Sequence, residues 1–118
     1  MEKFTIELPL MGEYLTTVRL TTGGLCALAG FDVDTAEDYK VCVTESLLML
    51  KRNGFARANI LFTVGEKLGC SVCGKEKTTA FEESFEDEIS RALLSALVDE
   101  VAFENDADGA LEKIYFEG

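Results

Sequence analysis

The sequence predicts an α+β fold, a two-layer sandwich in which a mainly antiparallel sheet carries three helices on one face, in the order β-α-α-β-β-α-β-β. Three observations predict it. Segments of period-two alternation and segments of period-3.6 apolar spacing follow one another along the chain, and these periods separate strands from helices. Short turns rich in Gly, Asn and Asp join adjacent strands, which must then pair antiparallel. Three amphipathic helices each need an apolar surface for one stripe, and a sheet face supplies it. The 118 residues fit a single domain, 1–118, and a chain of this size can be stabilised by an apolar core without staples.

Each element has its own signature. Phe4, Ile6 and Leu8 alternate with Thr5 and Glu7, the pattern of a half-buried strand, and Pro9 ends it because proline donates no ladder hydrogen bond. From Glu13 to about Gly30 the spacing of Leu15, Val18, Leu25 and Leu28 predicts a helix, weakened by Gly23-Gly24. The next helix is the clearest. Asp34 is expected to cap it, with Glu37 three residues on, and Ala36, Tyr39, Val43, Leu47 and Leu50 form its stripe until Gly54 stops it. Asn59–Val64 reads as a buried strand, Gly65-Glu66-Lys67 as a hairpin turn, Leu68–Cys73 as the returning strand and Gly74–Ala80 as a loop. A third helix runs from Ser84 or Phe85 to Asp99, with Ile89, Leu93, Leu97 and Val98 on its apolar side. Val101–Glu104 and Ala110–Phe116 are strands around the turn Asn105-Asp106-Ala107-Asp108-Gly109. The last strand is expected at a surface edge or an interface.

Composition narrows the function. Hydrophobic residues make up 47% of the chain and the mean hydropathy is +0.11, values of a folded domain. No apolar run reaches the roughly 18 residues of a membrane span, and Met1-Glu2-Lys3-Phe4 opens into a strand with no secretory core, so a cytoplasmic location is expected. Eleven basic residues against twenty-two acidic ones give a charge of −11. That balance repels nucleic acid and anionic membranes, which attract clustered Lys and Arg. The acids gather at Glu82–Glu88 and Asp99–Asp108, runs expected to be solvated faces, with docking of a basic protein as the alternative.

The cysteines are Cys26, Cys42, Cys70 and Cys73, and there is no histidine. Cys70 and Cys73 form a C-x-x-C pair, but residues three apart on a strand face opposite ways, and Cys26 and Cys42 fall in helices without ligand spacing. They are expected to be reduced, buried apolar residues, and no metal site is expected.

The stretch from Asp38 to Phe55, Asp-Tyr-Lys-Val-Cys-Val-Thr-Glu-Ser-Leu-Leu-Met-Leu-Lys-Arg-Asn-Gly-Phe, resembles the N-box helix of the anti-sigma-factor serine kinases, which belong to the histidine-kinase-like (GHKL) ATPase superfamily. Ala92–Val101 is similar to the family helix that ends in a Leu-Val-Asp-Glu-Val signature before a strand. The resemblance implies an ATP site built from an N-box glutamate, an asparagine four residues later that holds magnesium, an Asp-x-Gly-x-Gly adenine motif and a second glycine motif. Glu45 matches the glutamate. Met49 stands at the asparagine, and a soft thioether suits a hard cation poorly. Cys73 and Gly74 fall at the adenine motif, and Glu88 and Ser90 at the second glycine motif, where Glu88 sets a negative charge against phosphate. About ten residues, Lys75–Ser84, stand where the family has a lid of about 20 or more.

By resemblance, then, the chain is expected to be a degenerate member: a pseudoenzyme with no catalytic residue beyond the retained Glu45, no bound ATP or magnesium, and Met49 and Cys73 filling the old cleft. Its expected role is transcription regulation by protein–protein interaction, with a sigma factor or an anti-sigma antagonist as partner and a homodimer as the assembly the family implies. The alternatives are a divergent but active ATP-dependent serine protein kinase and a structural or oligomerisation module.

Overall fold

Side chains that alternate between a covered and an open sheet face set the architecture. The structure is a computed structural model that describes residues 2–80 and 84–118. Its elements are β1 (Glu2–Pro9), α1 (Gly12–Leu28), α2 (Val33–Arg52), β2 (Phe55–Val64), β3 (Leu68–Lys77), α3 (Phe85–Leu97), β4 (Glu100–Asn105) and β5 (Leu111–Glu117), in the order expected. The five strands form one sheet, β1-β2-β3-β5-β4, and every neighbouring pair is antiparallel. This is the two-layer α+β sandwich that the patterning predicts.

Register lines up the core. One inward row crosses the sheet as Phe62, Cys70, Phe116 and Val101, with the exposed Phe4 at its β1 end, and the next as Ile6, Ile60, Val72, Ile114 and Phe103. On the helix side, Val18, Leu25 and Cys26 of α1, Tyr39, Val43, Leu47 and Leu50 of α2, and Leu94 of α3 complete the core. Tyr39 anchors it. Its hydroxyl donates to the Leu68 carbonyl at 2.8 Å and its ring meets Phe116 edge-on at 5.1 Å. Burial holds its phenol far above the ordinary range, so it stays a donor. The outward rows, such as Thr5, Leu61, Ser71, Tyr115 and Ala102, carry no helix cover.

Several expectations need correction. The cap of α2 is Asp32, not Asp34: Oδ1 of Asp32 accepts from the Thr35 amide at 2.7 Å, while Glu37 instead pairs with Lys40 at 2.8 Å. Strands β2 and β3 are longer than their apolar runs. Gly74–Lys77 is strand rather than loop because Phe55–Ala58 extends to pair with it. Strand β5 lies inside the sheet, between β3 and β4, rather than at an edge. Leu28 of α1 is 78% exposed instead of packed. Helix α3 is rotated from the expected stripe: Leu97 and Val98 pack on the core as expected, but Ile89 is exposed, and Asp87, Ser90 and Leu94 are the buried residues. Among the described residues no helix is long and apolar enough to cross a membrane.

Candidate functional site

The site lies where the C-terminal half of α2 meets α3. The apolar stripe that seats α2 on the sheet turns Met49 fully inward, at 0% exposure, and leaves Glu45 one turn earlier at the half-buried margin. Helix α3 begins at Ser84, whose hydroxyl accepts from the Glu86 amide at 3.1 Å. The spacing of Asp87, Ser90 and Leu94 then sets one face of α3 against α2.

A continuous hydrogen-bond network joins the two helices. The Ser90 hydroxyl donates to Oε2 of Glu45 at 2.8 Å and accepts from Nη2 of Arg52 at 2.8 Å. Arg52 Nε donates to Oδ1 of Asp87 at 2.7 Å. Asn53 Nδ2 donates to Oδ2 of Asp87 at 2.6 Å and to the Met49 carbonyl at 2.7 Å, and its Oδ1 accepts from the Leu111 amide at 2.9 Å. One cluster thus fastens α2, α3 and β5 together. Among the described residues every buried side-chain nitrogen and oxygen has a partner, so the network carries no desolvation penalty left unmet.

Beyond this cluster, an open cleft of ≈ 700 Å³ lies between the start of α3, the end of α2 and the β4–β5 turn. Asn53, Ser84, Asp87, Glu88, Arg91 and Asp108 are among its lining residues. The guanidinium of Arg91 sits 4.7 Å from the centre of the Phe103 ring, which ties α3 to β4. Lys77 holds the turn by reaching Asp106 at 2.9 Å and Asp108 at 3.2 Å. The hydrogen bond from Lys77 lowers the Asp106 carboxyl and in return raises the lysine. The chain leaving β3 is pinned nearby. The Gly54 carbonyl accepts from the Thr78 amide at 2.8 Å, and Gly54 has a φ of 97°, which suits glycine. A side chain there would run into the Thr79 carbonyl.

The structure brings some of the expected site residues together and separates others. Glu45 and Ser90 are directly bonded, with Met49 beneath them in the core. Glu88 is exposed and borders the cleft. Gly74 lies under the Phe55 ring, so closely that a side chain would collide with it. Cys73 does not fill the cleft. It pairs across the sheet with Asn59 and Lys113 on the face without helices, because its position in β3 has the outward parity. Cys70, three residues earlier, is fully buried on the other face. Burial also raises the thiols of Cys26 and Cys42 to about 11 and about 12, so they stay protonated at neutral pH.

Arg52, Asn53 and Asp87 escape sequence reasoning. Asp87 sits inside the acidic run expected to be solvated, yet only 8% of it is exposed. Its neighbours in that run, Glu86 and Glu88, do face solvent, while Glu82 and Glu83 lie outside the described residues. Asp87, Ser90 and Leu94 do share a helical face by spacing, but nothing in that spacing marks the face as buried.

No family model matches the chain. Over 54 residues it is 33% identical to Serine-protein kinase RsbW of Listeria monocytogenes serotype 4a (strain HCC23). The same identity and length hold for Serine-protein kinase RsbW of Listeria innocua serovar 6a (strain ATCC BAA-680 / CLIP 11262). The match is distant homology. It covers 46% of this chain and 34% of each relative, so the chain matches about a third of the length of these curated relatives.

Proposed function

We propose that this chain is an anti-sigma-factor-like regulatory protein of the histidine-kinase-like ATPase fold, a pseudoenzyme that works in transcription control by binding a protein partner and not by consuming ATP. The similarity to RsbW, taken with the state of the N-box helix, carries this reading. Glu45 is tied to Ser90 across the helix interface, and the buried Met49 offers sulfur where magnesium needs oxygen. Both oxygens of the nearby Asp87 are already engaged by Arg52 and Asn53. Glu86, Asp87 and Glu88 crowd the first turn of α3, where a phosphate would meet negative charge. These residues fit a magnesium nucleotide poorly.

The partner on this reading is a sigma factor or an anti-sigma antagonist met in the cytoplasm, with a homodimer as the assembly the family implies. Titration calorimetry with Mg-ATP should give no binding heat, and a sigma factor from the same organism should co-elute with the chain on gel filtration. Micromolar ATP binding would overturn the pseudoenzyme reading. The activity in the relatives' name supports a second reading, a divergent serine protein kinase. Transfer of labelled phosphate to an antagonist protein, lost in Glu45→Gln, would establish that reading instead.

A further inference from the structure

Helix α3 turns a mixed side inward, with Leu94 fully buried and Leu97 packed on the core beside polar Asp87 and Ser90. Asp87 and Ser90 of α3 are held against α2 by Arg52 and Glu45. The opposite side presents Phe85, 74% exposed, and Ile89, 53% exposed, followed by exposed Ala92 and Ala96. At 100° per residue these four form one line about 16 Å long. Exposed Glu86 flanks the line on one side and exposed Glu88 on the other. Rolling the helix to cover Phe85 and Ile89 would break these bonds and bring the fully buried Leu94 into solvent. The buried network prevents that and keeps the stripe in solvent.

We propose that this stripe of α3 is a docking site for a basic amphipathic helix of a protein partner, with apolar anchors at i, i+3 or i+4, and i+7 and Lys or Arg along both margins. The inference rests on the protein-binding reading above and specifies the chemistry of the partner. Charge selects the occupant. Acidic margins attract a Lys- or Arg-flanked helix and speed its approach. The same margins set acid against acid if a second copy of this −11 chain docks there. They also repel an anionic membrane surface. The apolar line supplies the anchoring contacts, as a few large side chains do in most interfaces.

The test uses the full chain, labelled with nitrogen-15, and two designed helical peptides of about 18 residues, long enough to hold helix on binding. Both carry one leucine stripe; one is flanked by lysine and the other by glutamate. The lysine peptide should shift the amides of Phe85–Ala96. Its affinity should fall about tenfold in the Phe85→Ser, Ile89→Ser double variant, with the circular dichroism spectrum unchanged. In Glu86→Lys, Glu88→Lys the preference should reverse toward the glutamate peptide. Binding of neither peptide, shifts centred away from α3, or equal affinity in the Phe85 and Ile89 variant would overturn the proposal. Self-association of the wild type that the same variant abolishes would assign the stripe to a second copy and overturn it as well. ATP binding would sink the pseudoenzyme reading and leave this result untouched, whereas failed peptide binding beside intact sigma-factor co-elution would sink the docking site alone.

Discussion

Helices α2 and α3 lie side by side and are seated by different balances of apolar and polar contact. From α2 the core receives Tyr39, Val43, Leu47, Met49 and Leu50, all at 1% exposure or less. From α3 it receives one fully buried apolar residue, Leu94, beside the polar Asp87 and Ser90. Apolar burial positions α2 against the sheet without regard to direction. Hydrogen bonds position α3 and fix its roll, because each has a donor, an acceptor and a narrow range of angles. The first arrangement gives stability; the second gives orientation.

The comparison can be broken at either helix, and the largest effect should come from α2. Leu47→Ala removes a buried side chain and leaves a cavity, so urea unfolding should show a loss of about 3 kcal/mol. Asp87→Ala should cost about 2 kcal/mol, since Arg52 and Asn53 both lose an acceptor while the partly exposed Arg52 recovers some hydration. The paired change Arg52→Met with Asp87→Leu sharpens the point. It should recover part of the Asp87→Ala loss but not all of it, because the buried Asn53 amide still lacks its Asp87 acceptor, and heteronuclear NMR should show α3 no longer fixed in its roll.

A smaller effect belongs to the β4–β5 turn, as a pH dependence. Its hydrogen bond with Lys77 holds the Asp106 carboxyl below the ordinary carboxylate range. The contribution is therefore complete above about pH 4 and is lost as pH falls through the lowered folded value. Lys77 is raised, chiefly by the bond to Asp106, so its contribution is present at neutral pH and lost as alkali passes its folded value, above about 10.4. Melting temperatures of wild type and Lys77→Met should differ at neutral pH and converge at both extremes. Smallest of all, Phe85→Ser on the outer side of α3 should change unfolding free energy by no more than about 0.5 kcal/mol. A loss as large as that of Leu47→Ala would mean that Phe85 is part of the core.

What the sequence made legible follows from the same contrast. Helix α2 was readable because its stripe obeys the rule that apolar side chains face inward; only its cap was misplaced, since Asp32 and Asp34 are both good caps two residues apart. The β2–β3 and β4–β5 pairings were readable because turns such as Gly65-Glu66-Lys67 force antiparallel neighbours; the place of β5 inside the sheet was not. The roll of α3 was not, because the rule places Ile89 inside and nothing local contradicts it. The contradiction lies at Arg52, 35 residues from Asp87, and at Glu45, 45 residues from Ser90. Asn53 reaches the Leu111 amide 58 residues away. Contacts at such separations leave no periodic trace in one sequence. Glu45 and Met49 were found by resemblance, and their present partners by geometry alone. The apolar run that ends at Cys73 stops four residues short of the end of β3 at Lys77, which leaves Cys73 within the sheet.

The interior position of β5 has a consequence for the order in which the molecule assembles. Strands β1, β2 and β3, with α1 and α2 above them, occupy the first 77 residues and can pair as they are made. The free edge of β3 then waits for a partner about 40 residues later in the chain, so its Cys70 and Val72 row stays open until β5 arrives. Helix α3 and β4 are made in between, and β4 joins the sheet only through β5. The Leu111 amide that completes the Asn53 network also belongs to β5, so that network is complete only after this last event. During synthesis at the ribosome the first three strands would therefore form an early unit with one sticky edge, and the closing of that edge would be the slow, non-local step of folding.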